Sequence, residues 1–138
     1  MKGTTITYKI DNHSEIIPIS LLKDCYEYGK EIHHNFRKKE YVIKSNKIGC
    51  YILYDKNKKI IYIGKSINSI RQRIIQHLFA NPSVYLNDYE LKELLLKREK
   101  VKYFSYIEID KQFVDFVEAG LINKYEPKLN KQFINNKK

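Results

Sequence analysis

The stretch Ile60–Leu78, IIYIGKSINSIRQRIIQHL, carries Lys65, Arg71, Arg73 and His77 and no acidic residue. Around it, no Asp or Glu occurs from Lys56 through Asn87, while Lys56, Lys58 and Lys59 add further positive charge. Exposed helix and loop faces ordinarily interleave the two signs, so a one-sign segment of this length points to an anionic ligand. Gly64-Lys65-Ser66 lies where a strand hands over to a helix, a place where backbone N–H groups can receive a phosphate. The glycine pattern is not that of a P-loop, whose GxxxxGK[ST] spacing is absent.

A helical wheel separates the two arginines. With Ile70 at zero, Ile74 and Leu78 fall at about 40° and 80° and define the inward face. Arg73 and His77 fall at about 300° and 340°, one above the other on the border between core and solvent. Arg71 falls at about 100°, inside the apolar arc, so Arg71 and Arg73 cannot reach one site. If one guanidinium works with His77, it is Arg73. Farther on, Glu118 stands between Val114 and Ile122 on a helix. A carboxylate among apolar neighbours must be paired or hold a cation. From the helix alone, a lysine salt bridge is the simpler reading.

These groups need a scaffold. Ile48–Tyr54 and Ile60–Ile63 are rich in β-formers and flank the turn residues 55–59, which predicts a hairpin. Ser66, Asn68 and Ser69 offer caps for a helix from Ile70 to about Phe79, closed by Asn81-Pro82. Asn87 or Asp88 starts another helix to about Lys100, with Leu91, Leu94 and Leu95 inward. Val101–Ile109 reads as a strand. Asp110 caps a last helix on which Phe113, Val117 and Leu121 recur every four residues, and Pro127 stops it. Before residue 48, Thr4–Ile10 and Glu15–Ile19 read as strands and Ser20 to about Lys39 as a helix. The expected fold is α+β, with a small central antiparallel sheet of about three strands flanked by helices. An N-terminal strand and helix extension (1–47) precedes the main unit (48–130), and a short basic tail (131–138) follows.

The 138 residues suit one domain with a core of its own. Lys+Arg total 26 against 16 Asp+Glu, a net charge of +10, which favours a polyanion as partner, DNA or RNA first and a membrane surface second. Cys25 and Cys50 lack the spacing of a zinc site or a disulfide framework. No signal peptide and no run of apolar residues long enough to span a bilayer is present. A cytoplasmic location with no membrane contact is expected. His33-His34 are adjacent and point about 100° apart on a helix, so they are read as surface residues rather than a metal pair.

Gly49-Cys50-Tyr51, Tyr62-Ile63-Gly64-Lys65, Arg73, His77, Glu118, and Pro127 with Asn130, in this order, resemble the GIY-YIG nuclease superfamily. The likeness is greatest to the N-terminal incision domain of bacterial excision-repair nucleases. It covers about Ile48 to Asn130, and Glu118 and Asn130 stand twelve residues apart. Two departures stand out: Cys50 replaces the usual isoleucine or valine, and the run from Tyr62 to Arg73 is one residue longer than the common pattern.

The resemblance implies a metal-dependent DNA endonuclease that splits a phosphodiester with a tyrosine-activated water and a single divalent cation, Mg²⁺ or Mn²⁺. It implies Tyr51, Tyr62, Arg73, His77 and Glu118 as catalytic residues, with Glu118 holding the metal. Tyr51 would take a proton from water, helped by a nearby cation for which Lys65 is a candidate. His77 would relay a proton or position the water. Lys65, Ser66, Arg71, Lys58 and Lys59 would contact phosphate or DNA. Gly49, Gly64 and Asn130 would be structural. Cutting both strands would call for a homodimer, since one site hydrolyses one strand at a time. The alternative is a non-catalytic nucleic-acid-binding module on the same scaffold, which would shift DNA without cutting it. A small basic interaction protein of another class would show no salt-dependent affinity for DNA.

Overall fold

The computed structural model describes residues 13–23, 26–27, 30–31, 43, 46–82 and 85–130. Their order is β1 (Ile17–Pro18), α1 (Ile19–Lys23), β2 (Tyr26–Glu27), β3 (Lys30–Glu31), β4 (Gly49–Tyr54), β5 (Ile60–Ser66), α2 (Ile70–Leu78), α3 (Asp88–Lys100), β6 (Tyr103–Glu108) and α4 (Val114–Tyr125). Short 3₁₀ turns at Lys111–Phe113 and Lys128–Asn130 bracket α4.

The main sheet is antiparallel with strand order β1-β6-β4-β5. Its centre is β4, buried at all six positions, because both faces of the sheet are covered. One face packs Tyr51, Leu53 and Phe104 against Ile70, Ile74, Ile75 and Leu78 of α2. The other packs Cys50, Ile52, Ile63 and Ile107 against Val114, Val117, Leu121 and Ile122 of α4. Each such aliphatic side chain contributes about 1.5–3 kcal/mol by leaving water. Ile17, Leu22 and Ile43, ahead of residue 48, share the first cluster, and β1 pairs with β6 as the fourth strand.

Several local expectations change. The helix expected over Ser20 to about Lys39 ends at Lys23, and Tyr26–Glu27 pairs with Lys30–Glu31 instead. Gly29, a poor helix former, lies between the two paired segments. Residues 32–39 and the strand expected at Thr4–Ile10 lie outside the described residues. Asp110 makes no side-chain cap; a 3₁₀ turn intervenes before α4 begins at Val114. In α3, Leu91 and Leu94 are only half-buried and Leu95 is exposed; the helix buries no residue at all. It is fixed at its start by a reciprocal cap between Asn87 and Glu90. It docks through Arg98, whose guanidinium donates to the carbonyls of Gln76, His77 and Ala80 at the end of α2. No helix among the described residues is long and apolar enough to cross a membrane.

Candidate active site

The edge strand β5 is where the chemistry gathers. In the β4–β5 register Tyr51 pairs with Gly64 and Leu53 with Tyr62. Paired residues share a face, so Tyr51 and Tyr62 lie diagonally on one side of the sheet, their rings 6.2 Å apart between centroids. Tyr51 is buried to 1% exposure. A Cβ on Gly64 would fall 2.4 Å from its ring and hydroxyl, so only glycine lets the phenol lie flat across β5. Gly49 is needed for its backbone: its φ of 144° and the Ile107 carbonyl, 2.1 Å from where a Cβ would sit, leave no room for a side chain.

Arg73 reaches toward this pair from α2, close enough for its charge to act on both hydroxyls, and the two phenols act on each other. Lys65, next to Gly64, points to the opposite face. There it forms an ion pair with Asp115 and approaches Glu118 to 3.9 Å. Both acids belong to α4. The two sets meet over the open edge of β5, where Tyr51, Tyr62, Lys65, Ser66, Arg73, Asp115 and Glu118 line a single cavity of about 560 Å³. Gln72, Gln76 and the loop Ile67-Asn68-Ser69 complete its wall.

The electrostatics follow from burial. Desolvation raises both phenols above their ordinary pKa, opposed by the Arg73 guanidinium in each case. The cation that meets Tyr51 is thus Arg73, not Lys65. Glu118 is likewise pushed up, first by burial, with Lys65 pulling the other way and Asp115 adding to the rise. Its carboxylate is 18% exposed. A half-buried carboxylate facing a cavity would suit a hard divalent ion, which would offset the desolvation. Among the described residues no group of three or more His, Cys, Asp or Glu forms a metal cage. Buried Cys50 has its thiol pushed up to about 12, chiefly by burial, and is held as a neutral packing group.

The other sequence-derived residues are distributed as follows. Ser66 builds the loop, its hydroxyl accepting from the backbone N–H of Asn68 and Ser69. The start of α2 is not an open anion cradle, since Ile70 N–H donates to the Lys47 carbonyl and Gln72 N–H to the Ser69 hydroxyl. Arg71 is 6% exposed and does not line the cavity; its place in the apolar arc turns it toward the core. Lys58 and Lys59 sit on the β4–β5 turn, roughly 25 Å along the hairpin from Ser66 at ~3.3 Å per residue, with Lys58 over the Tyr103 ring. His77 lies behind Tyr62, ring centroids 5.3 Å apart, and faces a neighbouring cleft between α2 and α3. Asn130 is buried; its carboxamide accepts from Ile63 N–H at 3.0 Å and donates to Ile63 C=O at 3.1 Å.

Sequence reasoning missed two neighbours. Asp115 stands three residues before Glu118, a spacing that puts both on one helix face. Lys97 had no signal, being one lysine among several on a charged helix; it arrives at His77 and Tyr62 only through the docking of α3.

Comparison with known proteins points to one family. A family model of the GIY-YIG catalytic domain covers residues 47–132. UvrABC system protein C of Finegoldia magna is 35% identical over 94 residues, 67% of this chain and 14% of that protein. Its counterpart in Caldicellulosiruptor saccharolyticus is 37% identical over 83 residues, 59% of this chain and 13% of that protein. The chain thus spans about one seventh of the curated relatives it matches. Among solved structures, the GIY-YIG N-terminal endonuclease domain of UvrC from Thermotoga maritima, bound to its catalytic magnesium, superposes with a TM-score of 0.50 at 27% identity. That match covers 70% of this chain and 96% of that domain. With the family model spanning more than half its length and the two tyrosines, arginine and glutamate gathered at one cavity, this chain belongs to the GIY-YIG catalytic domain family.

Proposed function

We propose that this protein is a DNA endonuclease that hydrolyses a phosphodiester bond with one divalent cation, Mg²⁺ or Mn²⁺, held by Glu118. The observation that carries this reading is the convergence of Tyr51, Tyr62, Arg73 and Glu118 from four separate elements on one cavity. A module that only bound DNA would gain nothing from a half-buried carboxylate facing the phosphate path. The magnesium in the Thermotoga maritima relative supports the choice of metal.

The cation, when bound, supplies Lewis-acid stabilisation of the leaving oxygen. The chain supplies the rest. Lys65 and the Ser66–Ser69 loop border the path of the DNA backbone. Arg73 donates to the charge that builds on the phosphate oxygens, a contribution of about 10²–10³ in rate for one well-placed donor. Tyr51, having first given up its own hydroxyl proton to water in the cavity, accepts the proton of the attacking water as the phenolate. Its buried phenol is a reluctant anion, and Arg73 at its hydroxyl is the group that lowers the cost of that state. Tyr62 holds the Tyr51 hydroxyl in line. His77 is assigned no proton transfer: it faces the neighbouring cleft, and burial with the cations Lys97, Arg73 and Arg98 brings it down to about 3, which makes its imidazole a weak proton acceptor.

The test is a supercoiled plasmid incubated with the purified protein and Mg²⁺ or Mn²⁺. Conversion to nicked or linear DNA by the wild type, lost in Glu118→Gln with DNA binding retained, is the expected result. Linear product formed directly would assign a pair of chains to each cut. Equal cutting by Glu118→Gln would end the metal assignment, and a gel shift without any cutting would favour the binding module.

A further inference from the structure

The helix α3 buries none of its side chains, yet it delivers Lys97 to the rear of the cavity. The Lys97 ammonium lies 3.0 Å from His77 Nε2 and 3.9 Å from the centroid of the Tyr62 ring. The His77 and Tyr62 rings are themselves packed at 5.3 Å. One cation therefore touches two rings, and one of these rings belongs to the tyrosine pair.

An ammonium has three donors and no acceptor. Nε2 must accept, which leaves the imidazole proton on Nδ1. An ammonium over a phenol ring is held by the ring quadrupole, the more firmly where water is thin. Arg73 and Arg98 also face His77, and Glu93, one turn back on α3, is the acid closest in effect to Lys97. Three cations around one imidazole exclude the imidazolium, so His77 serves as an acceptor for Lys97 and a wall for Tyr62.

We propose that Lys97 is a positioning residue of the cleavage site: it fixes His77 as the neutral Nδ1–H tautomer and clamps the Tyr62 ring at the angle from which its hydroxyl meets Tyr51. The clamp is a property of the fold. Its effect on cleavage rests on the nuclease reading above. Neither His77 nor Lys97 need touch DNA for this. The cleft they share with Gln76, Leu94 and Arg98 lies beside the cavity, and Arg73 and Gln76 border both.

The experiment is long-range ¹H–¹⁵N correlation of the histidine rings on the full chain, with plasmid cleavage and DNA affinity measured on the same samples. His77 is expected as the Nδ1–H tautomer, unchanged from about pH 5 to 7, above its own value of about 3 and below the value of about 8 to which burial brings Lys97. Lys97→Met should shift the ring toward the Nε2–H form or give it a titration in that range. It should also lower the cleavage rate about tenfold at unchanged DNA affinity, and Lys97→Arg should restore both. A wild-type His77 seen as the Nε2–H tautomer, or as imidazolium at pH 7, overturns the clamp without need of a variant. So does a folded Lys97→Met with wild-type ring signals. If the tautomer behaves as expected while wild type cuts no DNA, the clamp stands and the nuclease reading is what fails.

Discussion

Glu118 is where a single side chain states the cost of the site. Because the fold raises its pKa, the folded state favours the neutral acid more than the unfolded chain does. At neutral pH the charged form therefore subtracts from stability. Glu118→Gln should melt higher than wild type in the absence of metal, and should lose the rise in melting temperature that Mg²⁺ or Mn²⁺ gives the wild type. Differential scanning calorimetry with and without the ion reads both. Tyr51→Phe should fold normally and cut DNA about 10²–10⁴ times more slowly, the usual span for removing a proton acceptor. His77 gives a pH signature of the opposite sign to Glu118. Its pKa falls from an ordinary 6.5 to about 3, so between those values the unfolded chain binds a proton that the folded one refuses. Stability is full above pH 6.5 and drains as pH falls through the window. Urea midpoints measured from pH 7 to 4 should show a shallower loss in His77→Gln.

The elements explain which of these residues could be read in advance. The hairpin of β4 and β5 and the helix α2 are local structures with strong periodicity, so their inward residues and the separation of Arg71 from Arg73 follow from spacing alone. Tertiary contacts decide the rest. Lys65 could be assigned to Tyr51 only while Asp115 was unplaced; once α4 packs under β5, the pleat sends Lys65 to the acids and leaves Tyr51 to Arg73. The leucines of α3 suggested a core helix, but the fold docks that helix by an arginine fork and a lysine rather than by burial, and no hydrophobic pattern announces such a joint. The hairpin itself depends on Gly64. Gly64→Ala would drive a methyl into the buried Tyr51 ring. A loss of about 1–3 kcal/mol is expected from such overpacking, with cleavage falling further than stability because Tyr51 is the group displaced. Chemical denaturation alongside plasmid nicking separates the two effects.

At the scale of the molecule the surplus of positive charge sets a field, but position decides which lysines count. Affinity for DNA should fall linearly on a log–log plot against salt, and Lys65→Ala should make that slope shallower by about one. Replacing Lys58 and Lys59 together, at the far end of the hairpin, should leave the cleavage rate unchanged. A drop matching that of Lys65→Ala would mean that the DNA runs the length of the hairpin. The outer rim of β5 carries one more consequence. A strand with no neighbour on one side is a template for other chains; among the described residues no strand pairs with the outer edge of β5, and the Asn130 carboxamide stands there instead, meeting both backbone groups of Ile63. Losing that single side chain would uncover a sticky seam beside the cavity, so the first symptom of Asn130→Ala should be self-association, seen by light scattering before any change in melting.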